Sequence, residues 1–523
     1  MQSVQGTDAM SAETNTVPSS KKVFIKWGLL GSVGLINGYA TILMYSRGEL
    51  AFALLTVILT ALALYIFGSK KTYAHRYIYP GIAGMILFIL FPLAYTVGLA
   101  FTNYSAKNQL SLDRTQSVLM QRTFQSGESY GFELYKTDKG HRIYVKDGEQ
   151  LLVTPDFDIT SPSADYDLSA ADVQVGEKEK IKAIIQNRSA LNTVDLHMPD
   201  GSDIRMSGLR KFASVQPLYT VVEGTDDLRN NKTGELLRPN MEVGFYQPVN
   251  DNGEFVGNTV SPGFIVGIGT HNFERVWKDD GIKEPFISIF IWTIVFSAVS
   301  VALTVLIGLV LASVVQWEAL RGRAIYRVLL ILPYAVPAFI SILIFKGLFN
   351  QSFGEVNMLL EGLFGISPSW FSDPMLAKVM ILIVNTWLGF PYMMILCMGM
   401  LKAIPDDLYE ASAIDGSNFI SNFTKITMPL MIKPLTPLLI ASFAFNFNNF
   451  VLIALLTNGG PNMIGTSEPA GYTDLLVNYT YRIAFEGSGG QDFGLASAIA
   501  TLIFLLVGAL ALLNLRVTKV AQD

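Results

Sequence analysis

The sequence predicts an all-α polytopic membrane protein with eight transmembrane helices and one large β-rich insert in water. Three observations lead there. Half of the 523 residues are hydrophobic and only 15% are charged, whereas a soluble domain carries about a quarter charged residues. Eight apolar runs are each long enough to cross the hydrocarbon core, which takes roughly 20 residues. The remaining charge is concentrated: 20 of the 38 basic and 27 of the 43 acidic residues lie between Asn103 and Glu284.

Residues 1–26 read as a cytoplasmic disordered tail. They are rich in Ser, Thr, Gln and Asn, lack apolar periodicity, and end in Lys21, Lys22 and Lys26. The first apolar run, 27–45, follows. A secretory signal also opens on positive charge, but this run is long for one and no small-residue cleavage site leads into a soluble chain. An uncleaved first span is expected. Runs near 49–68 and 78–102 complete a first transmembrane block, 27–102. Five more, near 286–315, 326–348, 376–401, 429–457 and 493–515, form a second block within 285–523.

Eight spans put both ends on one side, and the positive-inside rule selects it. Fourteen basic residues fall on one side, among them Lys70, Lys71, Arg76, Arg321, Arg323, Arg327, Lys402, Lys425, Lys433, Arg516 and Lys519. Only Arg47, Lys346, Lys378 and Arg482 fall on the other, the long insert apart. Both termini are therefore expected in the cytoplasm and the insert outside.

The insert, 103–284, reads as β-rich. Asp147-Gly148, Asp200-Gly201 and Asn252-Gly253 sit between alternating apolar stretches, and Asx-Gly supplies the positive φ of tight hairpin turns. Its size allows independent folding. It serves either as a solubilising insertion or as a docking surface for a soluble partner, and its length favours docking.

Several chemistries are excluded. Cys397 stands alone in an apolar run, so no disulfide or thiolate metal site can form within the chain. His75, His141, His197 and His271 are scattered without ligand spacing. No GxxxxGK[ST] loop is present, so the chain carries no such phosphate cradle. No basic stripe points to nucleic acid.

The loop 403–428, AIPDDLYEASAIDGSNFISNFTKITM, is the first segment with mechanism in it. Pro405, Asp406 and Asp407 suit a helix start, Leu408–Ile414 is helical in composition, and Gly416 is a helix stop. A second amphipathic piece, Asn418–Ile426, follows. Helix, glycine corner and helix make a compact knob. Two helices lying on lipid would instead show a strongly basic polar face, and this segment is acidic. The run Glu410, Ala411, Ser412, Ala413, Ile414, Asp415, Gly416, with Phe423, Ile426 and Pro429, resembles the EAA loop of ABC-importer permeases. Ser412 and Ser417 stand where that pattern prefers alanine. The resemblance implies a type-I ABC importer permease fold. It also implies that Glu410, Ala411, Ser412, Asp415 and Gly416 couple the chain to an ATP-binding partner.

The second segment is a pair of stripes in the sixth and seventh spans. Ser442, Phe445, Asn446 and Asn449 fall at i, i+3, i+4 and i+7, one helical face. Leu388, Gly389 and Tyr392 share a face by the same spacing, after Asn385 and Trp387. Polar side chains are costly against lipid, so these faces look inward. Asparagine suits sugar hydroxyls, aromatic rings suit the C–H face of a pyranose, and no charge joins the set. Interhelical hydrogen bonding uses the same residue types and stays open.

Nearly the whole chain resembles the larger permease subunits of maltose/maltodextrin ABC importers. The likeness is closest over Trp317–Gly347 and from Asn385 onward. It implies that Leu388, Gly389, Tyr392, Ser442, Phe445, Asn446 and Asn449 line a sugar site. Tyr334 is added from the fifth span, although Ala338 stands where a serine would be expected. It further implies a second, smaller permease subunit, two ATP-binding subunits that hold ATP and Mg, and a periplasmic maltose-binding protein gripped by the insert. A last segment, Thr457–Gly490, is glycine-rich with Tyr479, Tyr481 and Phe485. It is either a flexible connector or an outer gate.

The expectation is a non-catalytic permease subunit of a bacterial inner membrane, importing maltose and maltodextrins, or another oligosaccharide. A secondary transporter would favour internal repeats and intramembrane carboxylates, neither visible in spans four to eight. A sensor would need a larger cytoplasmic output domain, and a membrane enzyme a catalytic constellation.

Overall fold

The computed structural model describes residues 20–162, 165–487 and 491–522. The tail expected over 1–26 lies outside these residues as far as position 19. From Ser20 onward the chain is already helical, since lysine is a good helix former and carries the first helix ahead of its apolar run. The molecule divides into two compact units, 1–98 and 99–523.

The first unit holds α1 (Ser20–Ser46), α2 (Leu50–Gly68) and α3 (His75–Leu99). Residues Ile86–Leu90 of α3 form a π-turn, C-terminal to Pro80 on the same helix. Basic side chains close the C-terminal end of α2: Lys26 donates to the Gly68 carbonyl at 3.1 Å, and Arg76 to those of Ile66 and Ser69. Cations at a helix C-terminus meet the negative end of its dipole.

The second unit opens with the insert. Its main sheet has nine strands: β5 (Asp165–Asp167), β8 (Asp195–His197), β9 (Asp203–Gly208), β10 (Lys211–Pro217), β2 (Thr123–Thr137), β3 (Gly140–Asp147), β4 (Gln150–Val153) and β6 (Ser169–Ala170) lie side by side in that order, with β7 (Glu177–Lys178) paired to β2. The long β2 (Thr123–Thr137) lies between β10 (Lys211–Pro217) and β3 (Gly140–Asp147). All pairings are antiparallel except β5 (Asp165–Asp167) with β8 (Asp195–His197). The core under it includes Phe132, Leu134, Ile143, Val145, Leu196 and Phe212. A second sheet of four antiparallel strands spans β11 (Tyr219–Val221) to β14 (Phe245–Val249). The Asx-Gly pairs do mark turns: Gly148, Gly201 and Gly253 have φ of +57°, +84° and +82°, and it is the glycine that takes the left-handed position.

Asparagine side chains stitch the two ends of the insert together. Asn103 donates to the Phe264 carbonyl and accepts from the Val266 amide at 2.8 Å. Asn272 donates to the carbonyls of Ala100 and Thr102. A β-carbon on Gly494 would lie 2.5 Å from the Thr102 oxygen and 2.8 Å from the Asn272 amide, so only glycine fits beside this knot.

Past the two sheets come α4 (His271–Lys278), α5 (Asp280–Gln316), α6 (Arg323–Ala335), α7 (Ala338–Leu348), α8 (Glu355–Phe364), α9 (Pro374–Leu401), α10 (Asp406–Ile414), α11 (Phe419–Phe447), α12 (Phe450–Leu456), α13 (Leu476–Glu486) and α14 (Phe493–Gln522). Six described helices are long and apolar enough to cross a membrane. The pair α6 and α7, bent by 92°, makes a seventh where the two are counted as one span, and α14 contributes a shorter apolar stretch over Phe493–Ala509. All eight runs read from the sequence therefore fall on helices. At 1.5 Å per residue α5 is roughly 55 Å long, and its charged first turn, Asp280 to Lys283, precedes the apolar run.

α5 and α9 pack closely against each other. A β-carbon on Gly389 would sit 2.8 Å from Thr304 Cγ2, and one on Gly308 would sit 2.8 Å from Met393 Cβ. Both contacts advance along the two helices in the same sense, so the pair runs parallel. Small residues let backbones approach where lipid gives no hydrophobic drive.

The insert generates a pH prediction. Asp156 accepts from Arg142 at 2.9 and 2.6 Å and from the Thr137 hydroxyl at 2.6 Å. These partners, Arg142 first, hold its carboxyl below the usual aspartate range. A lowered folded-state value means the stabilisation is complete above the unfolded value, about 4, and fades as pH falls through the folded one. Asp156→Asn should therefore lower the stability of the insert at neutral pH by about 1 kcal/mol. The gap between the two melting curves should narrow as pH drops below about 4.

Candidate functional site

A cavity of about 950 Å³ opens between α6, α7, α9, α11 and α12. Two helix breaks form its walls. The first is Val336-Pro337, between α6 and α7. Pro337 has no N–H to continue a helix, and a residue before proline is pushed out of the α region; Val336 is extended, with φ −85° and ψ +131°. The second is Asn448-Asn449, between α11 and α12, where the Asn449 side chain accepts from the Leu452 amide as a helix cap. Irregular backbone at membrane depth is tolerated where it is buried in protein or lines a cavity. Val336, Pro337, Asn448 and Asn449 all line this one.

Every residue expected at the site lines the same cavity: Tyr334, Leu388, Gly389, Tyr392, Ser442, Phe445, Asn446 and Asn449. The rings of Tyr334 and Tyr392 lie nearly parallel, 22° apart with centroids 6.5 Å apart. Phe445 is 72% exposed. No Asp, Glu, Lys, Arg or His occurs among the described lining residues. Gly389 serves the packing of α9 on Thr304, in addition to any room it leaves in the cavity.

The amides form a relay. Asn449 Nδ2 donates to Asn385 Oδ1 at 3.2 Å, Asn385 Nδ2 to Asn446 Oδ1 at 2.7 Å, and Asn446 Nδ2 to the Ser442 carbonyl at 2.8 Å. Interhelical bonding and cavity lining are thus roles of the same groups. An amide nitrogen has two hydrogens and its oxygen two lone pairs, so the relay leaves capacity on each for a ligand. Asn385 is the hub of the relay and is absent from the set of expected site residues. A signal for it exists: Asn385, Leu388, Gly389 and Tyr392 repeat the i, i+3, i+4, i+7 spacing of the stripe from Ser442 to Asn449.

The loop after α9 folds as the knob its composition suggests. Helix α10 ends in a paired turn: the Ser417 amide donates to the Ser412 carbonyl and the Gly416 amide to that of Ala413, both at 3.0 Å. Gly416 takes φ +75° there, the left-handed position that glycine favours. Two cross-bonds hold the knob: Tyr409 to Thr427 at 2.8 Å and Ser412 Oγ to Asn422 Oδ1 at 2.8 Å. The serine that departs from the alanine pattern thus bridges α10 to α11. Glu410, Ala411, Asp415 and Gly416 are exposed, beside Ile414 at 88% and Phe419 at 72% exposure.

The described part of the glycine-rich segment, 457–487, is packed rather than a loose connector. Buried Arg482 donates to Asp474 at 2.9 Å, and Asp474 accepts from the Gly471 amide at 2.8 Å. A β-carbon on Gly471 would lie 2.0 Å from the Gly459 oxygen. The stretch 488–490 lies outside the described residues.

Known proteins are similar to this chain along its whole length. The family described as the maltose transport system permease protein MalF P2 domain matches residues 110–269, and the MalF N-terminal transmembrane region matches 24–71. The inner membrane component of binding-protein-dependent transport systems matches 304–519. A maltose/maltodextrin transport system permease protein of Vibrio parahaemolyticus is 80% identical over 524 residues, with all of both chains covered. One from Vibrio cholerae is 76% identical over 524 residues, again with full coverage. One from Escherichia coli K12 is 58% identical over 501 residues, 95% of this chain and 97% of that one.

The relay predicts the consequence of cutting it. Asn385→Ala removes the donor that Asn446 Oδ1 accepts from, leaving a buried acceptor short of its partner. The expected cost is about 1–3 kcal/mol, read as a lowered melting temperature of the purified protein in detergent.

Proposed function

The chain belongs to the maltose/maltodextrin transport system permease family, and from that membership we propose how its parts divide the movement of a sugar. It is a permease subunit of a binding-protein-dependent ABC importer, without a hydrolytic site of its own; ATP hydrolysis belongs to partner subunits. The sugar-binding residues are Leu388, Gly389, Tyr392, Ser442, Phe445, Asn446 and Asn449, with Tyr334 and the hub Asn385 beside them.

The observation that carries this reading is the uncharged cavity at two helix breaks. Its volume falls within the range of about 300–1,000 Å³ usual for small-molecule sites. Rings of Tyr334, Tyr392 and Phe445 offer apolar faces for the C–H side of a pyranose, while amides offer donors and acceptors to its hydroxyls. An ion or amino acid would call for a charged partner in the lining.

The remaining parts follow from the orientation that the charge bias supports, with both termini in the cytoplasm and the insert in the periplasm. The insert grips a soluble maltose-binding protein, which delivers sugar to the outer mouth. A second, smaller permease subunit completes the pathway. Two ATP-binding subunits, holding ATP and Mg, receive the knob at Glu410–Gly416. Its cross-bonds let it move as one body, so closure of the ATP-bound pair rocks the spans and opens the cavity outward; hydrolysis resets it inward. Driving such an equilibrium from 1:99 to 99:1 takes about 5.5 kcal/mol of differential binding.

Two outcomes test this. Asn446→Ala should raise the KM for maltose uptake in reconstituted vesicles about five- to thirtyfold, the worth of one or two hydrogen bonds. Unchanged kinetics for every maltodextrin tried would remove the site. Gly416→Glu adds a carbon that meets nothing within 4 Å, but at a φ of +75° it costs about 1–2 kcal/mol and sets an acid on the knob. It should leave the protein in the membrane and abolish sugar-stimulated ATP hydrolysis. Full stimulation would show that the knob does not couple.

A further inference from the structure

Helix α12 carries Phe450 into the cavity, with Asn449 capping its start, yet it has only seven residues. A helix that short does not hold itself. Its buried face, Leu452, Ile453 and Leu456, packs into the apolar core, and such contacts are non-directional. Beyond the bond from the capping Asn449 to Asn385, the directional restraints come from α13 and the turn before it. At the cavity end, Asn478 Nδ2 donates to the Phe450 carbonyl at 3.1 Å, and the Tyr481 ring meets the Phe450 ring at 64° with centroids 5.0 Å apart. At the far end, the hydroxyls of Thr457 and Thr473 lie 2.9 Å apart, and Thr473 donates to the Gly460 carbonyl at 2.6 Å.

The clamp is itself anchored. Arg482, one turn beyond Asn478 on the same helix, is buried against Asp474. The Leu476 amide, in the first turn of α13, donates to Thr293 of α5 at 3.1 Å. Asn478 is 3% exposed, so water cannot replace its bond to Phe450.

We propose that Asn478 is a positioning residue for the sugar site: with Tyr481 it fixes the first turn of α12, and so sets Asn449 and Phe450 against a bound sugar. The proposal rests on the sugar reading of the cavity. Asn478 touches no sugar; it acts through the backbone of Phe450. A purely structural residue would change how much protein accumulates. A positioning residue changes the affinity of the protein that does.

Two readouts on the assembled transporter in lipid vesicles separate these. In Asn478→Ala, deuterium uptake by residues 450–456 should rise, and the KM for maltose should rise about fivefold, the net worth of one hydrogen bond, with a smaller change in Vmax. Tyr481→Leu, at a ring 44% exposed, should repeat both effects more weakly, and it carries the test if the first variant does not fold. Unchanged deuterium uptake in a folded variant would overturn the clamp. Raised uptake with an unchanged KM would overturn the positioning role, provided Asn446→Ala impairs transport in the same assay. If Asn446→Ala has no effect either, the sugar reading fails and takes the positioning role with it, while the exchange data still decide the clamp.

Discussion

Inside a hydrocarbon layer a peptide N–H or C=O that lacks a partner has no water to turn to, and each such group costs several kcal/mol. Most of the candidate spans obey that constraint as unbroken helices. The chain departs from the rule at Val336-Pro337 and at Asn448-Asn449, and both departures open on one cavity. The asparagines beside the second break repair it locally: Asn449 caps the new helix start, and Asn448 Nδ2 donates to the Ala444 carbonyl at the end of α11. A break that is repaired by side chains leaves those side chains presented to the cavity. The cavity lining and the solution to the backbone problem are thus one set of groups.

The same economy governs the rest of the second unit. The close approach of α5 and α9, permitted by Gly308 and Gly389, fixes the helix that carries Asn385 to Asn446. The packed turn before α13, tight at Gly459 and Gly471, gives α12 something rigid to lean on. The asparagines at the ends of the insert close this domain on itself, where its entry strand, Asn108–Leu110, lies beside its exit strand, Gly263–Phe264. On the opposite side in our reading, the knob is fastened by hydroxyl bonds and exposes its acids and its apolar residues together.

How much of this is legible in the sequence depends on the kind of signal. Apolar runs locate all eight helical stretches, since hydrocarbon thickness fixes their length. Asx-Gly pairs locate three turns, and an i, i+3, i+4, i+7 face locates the cavity residues, because helical periodicity is geometric. The breaks escape such a reading, although Pro333 and Pro337 and the cluster Asn446, Asn448 and Asn449 mark them. Apolar runs continue straight through both, and composition alone does not tell a bent span from a straight one. Asn385 is passed over because its partners lie on another helix, 61 and 64 residues away in sequence. The clamp at Asn478 is invisible for the same reason. The first turns of α1 pass for tail, since charged residues can extend a helix beyond its apolar stretch.

The central claim is that a neutral sugar sits in the cavity between the two breaks. The most direct measurement is a structure of the assembled transporter held with maltose and a non-hydrolysable ATP analogue. The account predicts sugar density stacked on Tyr392 or Phe445 and within hydrogen-bond distance of the Asn446 amide. A sugar bound elsewhere in the membrane, with the relay from Asn449 to Ser442 sealed off from it, would contradict the account.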